Sequence, residues 1–208
     1  MSKIDISIKN DSLDEDEGVL EEGLIQVVKT TKNTYYINID DDIGEACDYR
    51  KICKILREAK EIDEVILVIN SAGGFVNTGI QLHNYLLDTK AKTKAEVYMA
   101  YSAASVLMLS CDEIEMKDFS SVMVHSIAMG VVGKIDEIKE HTNFIEKLNK
   151  DINTKLYDTF LNDNEMEKIM SNKDYWFTCD EVKRRLKNWV PIRQRDTISK
   201  KIKSKKKK

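Results

Sequence analysis

The apolar run at residues 64–69, Glu-Val-Ile-Leu-Val-Ile, constrains the fold of this chain most strongly. A continuous run of this kind, without alternating polar residues, is typical of a strand buried on both faces of a parallel sheet. Residues 78–87 follow it with the apolar spacing of a helix, and a further short apolar strand is predicted after this helix. The run therefore predicts a βαβ unit inside an α/β domain.

The same alternation continues on both sides of the run. The predicted elements are, in order, a strand at 34–39, a helix around 49–56, the strand 64–69, a helix at 78–87, a strand at 95–99, a helix at 102–111, a strand at 121–125 and a long helix at 135–160. The helix at 102–111 is apolar nearly all round, so it must be buried. The chain is predicted to be an α/β protein, and it contains no internal repeat.

One domain, residues 23–192, is expected between two charged segments. With 208 residues and 42% hydrophobic content, the chain can bury one full core. Residues 1–22 are expected to form a flexible acidic segment, and residues 193–208 form a lysine-rich tail. A lysine tail can bind nucleic acid, but we interpret this one as a solubilising terminus.

Membrane insertion and metal binding are not expected. No run approaches the roughly 18 apolar residues that a membrane-spanning helix requires, and the amino end lacks the pattern of a signal peptide. The four cysteines include no CxxC pair, so free thiols are expected rather than disulfides or a zinc site. We therefore expect a soluble protein of the cytoplasm.

Gly73 and Gly74 follow directly on the predicted strand 64–69. Paired glycines let the backbone approach a bound group and present an amide N–H to it, which suits an oxyanion hole or a phosphate site. A plain tight turn is the simpler interpretation. A phosphate-binding P-loop is excluded, because the lysine and hydroxyl residue of its motif are absent.

Ser102 and Ser105 lie where a short predicted strand turns into the apolar helix. A serine in this place is most often an N-cap, and Ser102 with Ser105 at the third helical position fits that role. His125 ends a buried strand, where its imidazole would leave the sheet beside the start of that helix. A strand-end histidine can also be a satisfied core residue. The residues alone leave open a capping serine or a nucleophile with its base.

Four motifs in one order resemble a known family. They are Ile-Asn-Ser-Ala-Gly-Gly at 69–74, Ala-Tyr-Ser-Ala-Ala-Ser at 100–105, Met-Val-His-Ser at 123–126 and Asn-Lys-Asp-Tyr-Trp-Phe-Thr-Cys-Asp-Glu-Val at 172–182. The series is similar to the proteolytic subunit of the caseinolytic (Clp) protease, ClpP, and above all to shorter bacteriophage-encoded relatives. The resemblance runs over residues 35–186. It implies a ClpP/crotonase-like spiral of ββα units with a handle helix.

The resemblance implies a Ser-His-Asp triad of Ser102 as nucleophile, His125 as general base and Asp174 as the residue that orients the imidazole. Without the family, Asp174 is interpreted as an exposed acid. The N–H groups of Gly74 and Ala103 are candidates for an oxyanion hole.

Ser102 is preferred to Ser105 as the nucleophile. The family's helix after the nucleophile is about ten residues long, and Asp112 lies ten residues after Ser102 but seven after Ser105. Ser105 is kept as the reserve nucleophile.

The implied function is that of a serine endopeptidase, the proteolytic subunit of a ring-shaped ATP-dependent protease, with no cofactor of its own. Its expected partners are protein or peptide substrates, further copies in a heptameric or stacked ring, and an ATP-driven unfoldase. The long helix 135–160 has an apolar stripe too extensive for one small domain, which favours packing against another subunit. Three alternatives stay open: a phage capsid or scaffold maturation protease, a crotonase-type acyl-CoA enzyme, and an inactive ring-forming regulatory subunit.

Overall fold

A six-stranded sheet organises the computed structural model, which describes residues 5–12 and 31–195. The strands lie in chain order across the sheet, from β1 to β6. They are β1 (Ile6–Ser12), β2 (Thr31–Ile39), β3 (Glu64–Ser71), β4 (Lys92–Tyr101), β5 (Glu113–Val124) and β6 (Tyr175–Thr178). The four central strands run parallel, and β1 and β6 are antiparallel to their neighbours.

Helices connect the parallel strands, and the predicted α/β class is confirmed. A 3-10 turn (Ala46–Tyr49) leads into the first of them. The helices are α1 (Arg50–Glu58), α2 (Val76–Asp88), α3 (Ala103–Ser110), α4 (Ile135–Tyr157), α5 (Asp163–Met170) and α6 (Cys179–Leu186). The long handle-like helix expected after the last parallel strand is α4. Among the described helices, none has both the length and the apolar character that crossing a bilayer would require.

The apolar run of β3 is buried fully on one face and only in part on the other, so the predicted burial on both faces holds only at Ile66. Val65, Ile66 and Leu67 are consecutive, so their side chains point alternately to opposite faces, and all three are buried. The neighbours of Ile66 on its own face, Glu64 and Val68, are only half-buried, so the core lies mainly on the other face of β3.

Helix α3 is the most deeply buried element. All eight of its residues are buried, which confirms the prediction from its apolar composition. Gly79 of α2 makes the close packing possible, because a Cβ there would lie 3.2 Å from the Cβ of Ala103. The start of α3 is thus held firmly between α2 and the sheet.

Strand β5 begins earlier than expected, at Glu113 rather than at residue 121. Its first half carries Glu113, Glu115 and Lys117, which form ion pairs with Lys92 and with Lys94 and Glu96 of the neighbouring β4. Because these residues are charged, the first half of β5 lacks the apolar run that predicts a buried strand.

Both expected terminal segments contribute to the described fold. Within residues 1–22, Ile6–Ser12 form β1 and pair with β2. At the other end, Arg193 donates to the carbonyl oxygens of Leu86 and Ala91 and forms an ion pair of 3.0 Å with Asp112. The rest of the predicted acidic segment, residues 1–4 and 13–22, and residues 196–208 of the lysine-rich tail lie outside the described residues.

Candidate active site

Ser102 occupies a sharp turn between the end of β4 and the start of α3. Its backbone has φ 53° and ψ −123°, a combination that side-chain-bearing residues rarely adopt. Its N–H donates to the carbonyl oxygen of Met123 at 2.9 Å, and its side chain makes no capping hydrogen bond. The interpretation of Ser102 as a side-chain N-cap is therefore wrong, and its hydroxyl is directed elsewhere.

The Ser102 hydroxyl meets the imidazole of His125. The Oγ of Ser102 lies 2.7 Å from the Nε2 of His125, which is hydrogen-bonding distance. The two residues follow the ends of β4 and β5, adjacent parallel strands whose carboxyl ends share one edge of the sheet. The side chain of His125 is 21% exposed, so one nitrogen faces Ser102 in a partly shielded setting.

Asp174 lies on the other side of the imidazole. Its Oδ1 is 3.9 Å from the Nδ1 of His125, longer than a hydrogen bond, and its side chain is 55% exposed. It stands in the turn between α5 and β6, two residues after Asn172, whose φ is 62°. The structure thus brings all three residues of the expected triad together, but the contact between Asp174 and His125 is longer than a hydrogen bond.

The glycine turn, formed by Gly73 and Gly74, packs directly against Ser102. Gly73 has φ 100° and Gly74 has φ 146°, conformations that favour glycine. Gly74 bridges to Ile43, and a Cβ on Gly74 would lie 2.2 Å from the Ile43 carbonyl oxygen. Within the described residues, neither the Gly74 N–H nor the Ala103 N–H donates to a protein acceptor. Both residues line one pocket with Ser102 and His125.

That pocket is mainly apolar. It holds about 140 Å³ beside the Ser102 hydroxyl. Its apolar walls come from α2, α3, α4 and the segment after His125, and include Val76, Ile80, Val106, Ile127 and Ile152. A lining of this kind suits an apolar group, because the pocket would remove its surface from water.

Ser105 does not share the position of Ser102. It is fully buried, and its Oγ donates to the carbonyl oxygen of Ser102 at 2.7 Å and lies 3.0 Å from the hydroxyl of Tyr157. The imidazole of His125 is paired with Ser102 instead. The reserve nucleophile is therefore part of the packed interior.

Three polar residues of α4 were missed by the sequence reasoning. Asn149, Asn153 and Tyr157 are spaced by four, so they share one face of the helix. Asn149 accepts from the N–H of Ile127 at 3.0 Å and donates to the hydroxyl of Ser126 at 3.1 Å. A signal was present in the sequence, because polar residues at four-residue spacing interrupt the apolar stripe of a long helix.

A second serine-histidine pair lies away from the pocket. The Oγ of Ser110 donates to the Val106 carbonyl oxygen at 2.6 Å, so it accepts from the Nδ1 of His83 at 2.7 Å. Burial lowers the pKa of His83, which keeps its imidazole neutral. The single hydroxyl proton of Ser110 is used within its own helix, so this pair is structural.

Metal ligands do not gather in the part of the chain that the structure describes. No group of three or more histidine, cysteine, aspartate or glutamate side chains is placed to hold a metal ion among residues 5–12 and 31–195. The chemistry available at the pocket is that of a hydroxyl, an imidazole, a carboxylate and two backbone amides.

Comparison with known proteins gives a consistent result. The family model described as Clp protease matches residues 19–185. A relative from Bacteroides thetaiotaomicron, the ATP-dependent Clp protease proteolytic subunit, is 30% identical over 127 residues, or 58% of this chain and 56% of the relative. A protein of the same description from Bacteroides fragilis is 30% identical over 129 residues, 58% of this chain and 59% of the relative. The matched region therefore spans little more than half the length of these curated relatives.

Proposed function

Because the chain belongs to the Clp protease family, we propose that it is a serine endopeptidase that cleaves peptide bonds through an acyl-enzyme. The contact of 2.7 Å between the Ser102 hydroxyl and the His125 imidazole carries this proposal. The strained backbone of Ser102 supports it, since strain of this kind concentrates at functional sites.

In the first step, Ser102 attacks the carbonyl carbon of the scissile peptide bond. The Oγ–C bond forms while the hydroxyl proton moves to the Nε2 of His125. The carbonyl oxygen becomes an anion, and the N–H groups of Gly74 and Ala103 donate to it. The start of α3 adds the positive end of the helix dipole to this stabilisation.

In the second step, the imidazolium of His125 gives its proton to the leaving amine nitrogen and the C–N bond breaks. Water then attacks the Ser102 ester and passes a proton to the same Nε2. The proton returns to the Oγ of Ser102 as the acid product leaves. The apolar pocket beside Ser102 holds the side chain next to the scissile bond.

Asp174 is proposed to keep the Nδ1–H tautomer of His125 and to stabilise the imidazolium. This role needs a hydrogen bond, so the 3.9 Å contact must shorten in the working enzyme. Catalytic hydrogen bonds are often long without substrate and tighten when it binds.

Assembly into a ring is proposed from helix α4. Of its 23 residues only Asn153, Leu156 and Tyr157 are buried, while Ile135 and Phe144 are 72% and 60% exposed. They flank the predicted apolar stripe of α4, in which Ile138 and Ile145 are only half-buried, so this stripe is available to another subunit. We propose that further copies of the chain cover it and that an ATP-driven unfoldase delivers substrates to the enclosed sites in the cytoplasm.

The family match favours the peptidase over a crotonase-type acyl-CoA enzyme, which would need neither Ser102 nor Asp174. The inactive regulatory subunit is an outcome of the experiment below. Closeness to phage-encoded members, and a role in capsid or scaffold maturation, stay predictions.

The test is labelling by a serine-directed fluorophosphonate, with the modified residue mapped by mass spectrometry, together with hydrolysis of a fluorogenic peptide. We expect the label on Ser102 and loss of both labelling and hydrolysis in Ser102→Ala. Ser105→Ala is expected to keep part of both. Labelling that persists in Ser102→Ala and disappears in Ser105→Ala would reverse the assignment, and a parent protein without either activity would favour the regulatory subunit.

A further inference from the structure

The buried hydroxyl of Ser105 is the centre of a hydrogen-bond chain of defined direction. A serine hydroxyl has one proton, and that of Ser105 is directed to the carbonyl oxygen of Ser102 at 2.7 Å. The contact of 3.0 Å with Tyr157 must then be donated by the tyrosine. The chain therefore runs from the Tyr157 O–H through the Ser105 O–H to the Ser102 carbonyl.

The far end of this chain belongs to a peptide unit of the proposed site. The carbonyl of Ser102 and the N–H of Ala103 are parts of one planar peptide unit and point in opposite directions. A hydrogen bond that fixes the carbonyl therefore also fixes the N–H. That N–H is one of the two proposed oxyanion donors.

The chain acts at a backbone position that needs support. Ser102 is held at φ 53°, a strained conformation that the surrounding structure must maintain. Without the Ser105 hydroxyl, the hydrogen bond that the Ser102 carbonyl keeps among the described residues is that of 3.0 Å from the Ser105 N–H. One hydrogen bond from the same helix permits a larger tilt of the peptide plane than two.

Tyr157 is suited to be a permanent donor. It is 2% exposed and lies near the carboxyl end of α4, so its ring is fixed by packing. Burial raises the pKa of Tyr157 to about 12, and the phenol therefore keeps its proton throughout the neutral range. The hydroxyls of Tyr157 and Ser105 are linked across 52 positions of sequence.

We propose that Ser105 and Tyr157 are positioning residues that orient the Ser102–Ala103 peptide unit, and with it the amide that receives the oxyanion. This inference rests on the proposed peptidase function. The two residues do not touch the substrate; they act through the backbone of the nucleophile.

The experiment compares Ser105→Ala and Tyr157→Phe with the control Ser110→Ala. Ser110 lies on the same helix, is equally buried, and likewise bonds a backbone carbonyl and a second side chain, but its carbonyl partner is Val106. The readouts are kcat and KM for a fluorogenic peptide, inhibition by a peptide boronate that forms a tetrahedral adduct, and inhibition by the product peptide.

We expect kcat to fall about tenfold in Ser105→Ala, less than the roughly hundredfold or larger effect of deleting an oxyanion donor, with KM within about twofold. Tyr157→Phe should also lower kcat. Boronate affinity should fall by the same factor as kcat/KM, while the product peptide binds as before. The kcat of the double variant, Ser105→Ala with Tyr157→Phe, should be no lower than that of Ser105→Ala alone, since Tyr157 acts through Ser105.

The inference is overturned if both variants match Ser110→Ala in kcat, or if boronate and product affinities change together. Tyr157→Phe removes a single oxygen, so it keeps the test available if Ser105→Ala folds poorly. Failure of the peptidase proposal looks different, because then the parent does not hydrolyse the peptide or Ser102→Ala keeps the parent rate.

Discussion

Replacing Gly73 by alanine tests how closely the glycine turn approaches the proposed nucleophile. The new Cβ would lie 2.6 Å from the carbonyl oxygen of Tyr101 and 2.7 Å from the Cβ of Ser102. Ordinary contact begins near 3.4 Å, so the Cβ of Ser102 would have to move by about 0.7 Å. Neither neighbour is the free end of a flexible side chain, so the backbone of the turn must move.

The expected loss has two parts. Holding alanine at φ 100° costs about 1–3 kcal/mol, which for a chain of this size lowers Tm by roughly 2–12 °C. Displacement of Ser102 acts on the rate separately, because a misplacement of about 1 Å at a reacting group can cost on the order of 100-fold. We therefore expect turnover to fall by tens-fold or more in a protein that still folds.

The assay is turnover of a fluorogenic peptide and thermal unfolding of Gly73→Ala, with Gly130→Ala as control. A Cβ on Gly130 would meet nothing within 4 Å, so that variant should retain the parent Tm and rate. A Gly73→Ala protein with parent stability and parent turnover would refute the close approach of the two turns.

Three further predictions address the assembly, the carboxylate and the pH dependence of stability. Sedimentation at micromolar concentration should show an oligomer, because α4 exposes Ile135 and Phe144; a stable monomer would contradict the ring. Asp174→Asn should preserve fold and assembly while turnover of a fluorogenic peptide falls by about 10³–10⁴, and the parent rate in an assembled variant would exclude Asp174 from the site. The Nη1 of Arg185 lies 2.8 Å from the Oε2 of Glu165 and holds the pKa of that carboxyl below its ordinary value. The contribution of this ion pair to the stability of the fold is therefore complete above about pH 4.3 and is lost as the pH falls through the lowered pKa. Unfolding curves of Glu165→Gln should therefore show a weaker loss of stability on acidification than the parent, and identical acid profiles would remove the pair from this role.

The parts of the fold that could be predicted are those whose signal is local. The run in β3 and the apolar surface of α3 each determine an element without reference to distant residues. The first half of β5 could not be predicted in this way, since Glu113, Glu115 and Lys117 form ion pairs with side chains of the neighbouring strand.

The candidate site was predicted as a set of residues but not as a geometry. Whether Ser102 caps a helix or presents its hydroxyl depends on its backbone conformation, and both outcomes use the same residue type. The position of Ser105 depends on Tyr157, which is 52 residues away, and no local pattern links them. The distance from Asp174 to His125 depends on how two turns pack, which residue spacing does not specify.

The contrast between α3 and the turn that carries Asp174 has a consequence for hydrogen exchange. The amides of α3 are sealed on every side, so they should exchange only when the whole domain unfolds. Residues 171–174 are all exposed and precede a strand of four residues, so this turn can open at a small fraction of the global free energy. Mild heating or denaturant should then abolish the proposed peptidase activity by releasing Asp174, while Ser102 and its helix stay protected. Inactivation and unfolding would accordingly be separate events in the same molecule.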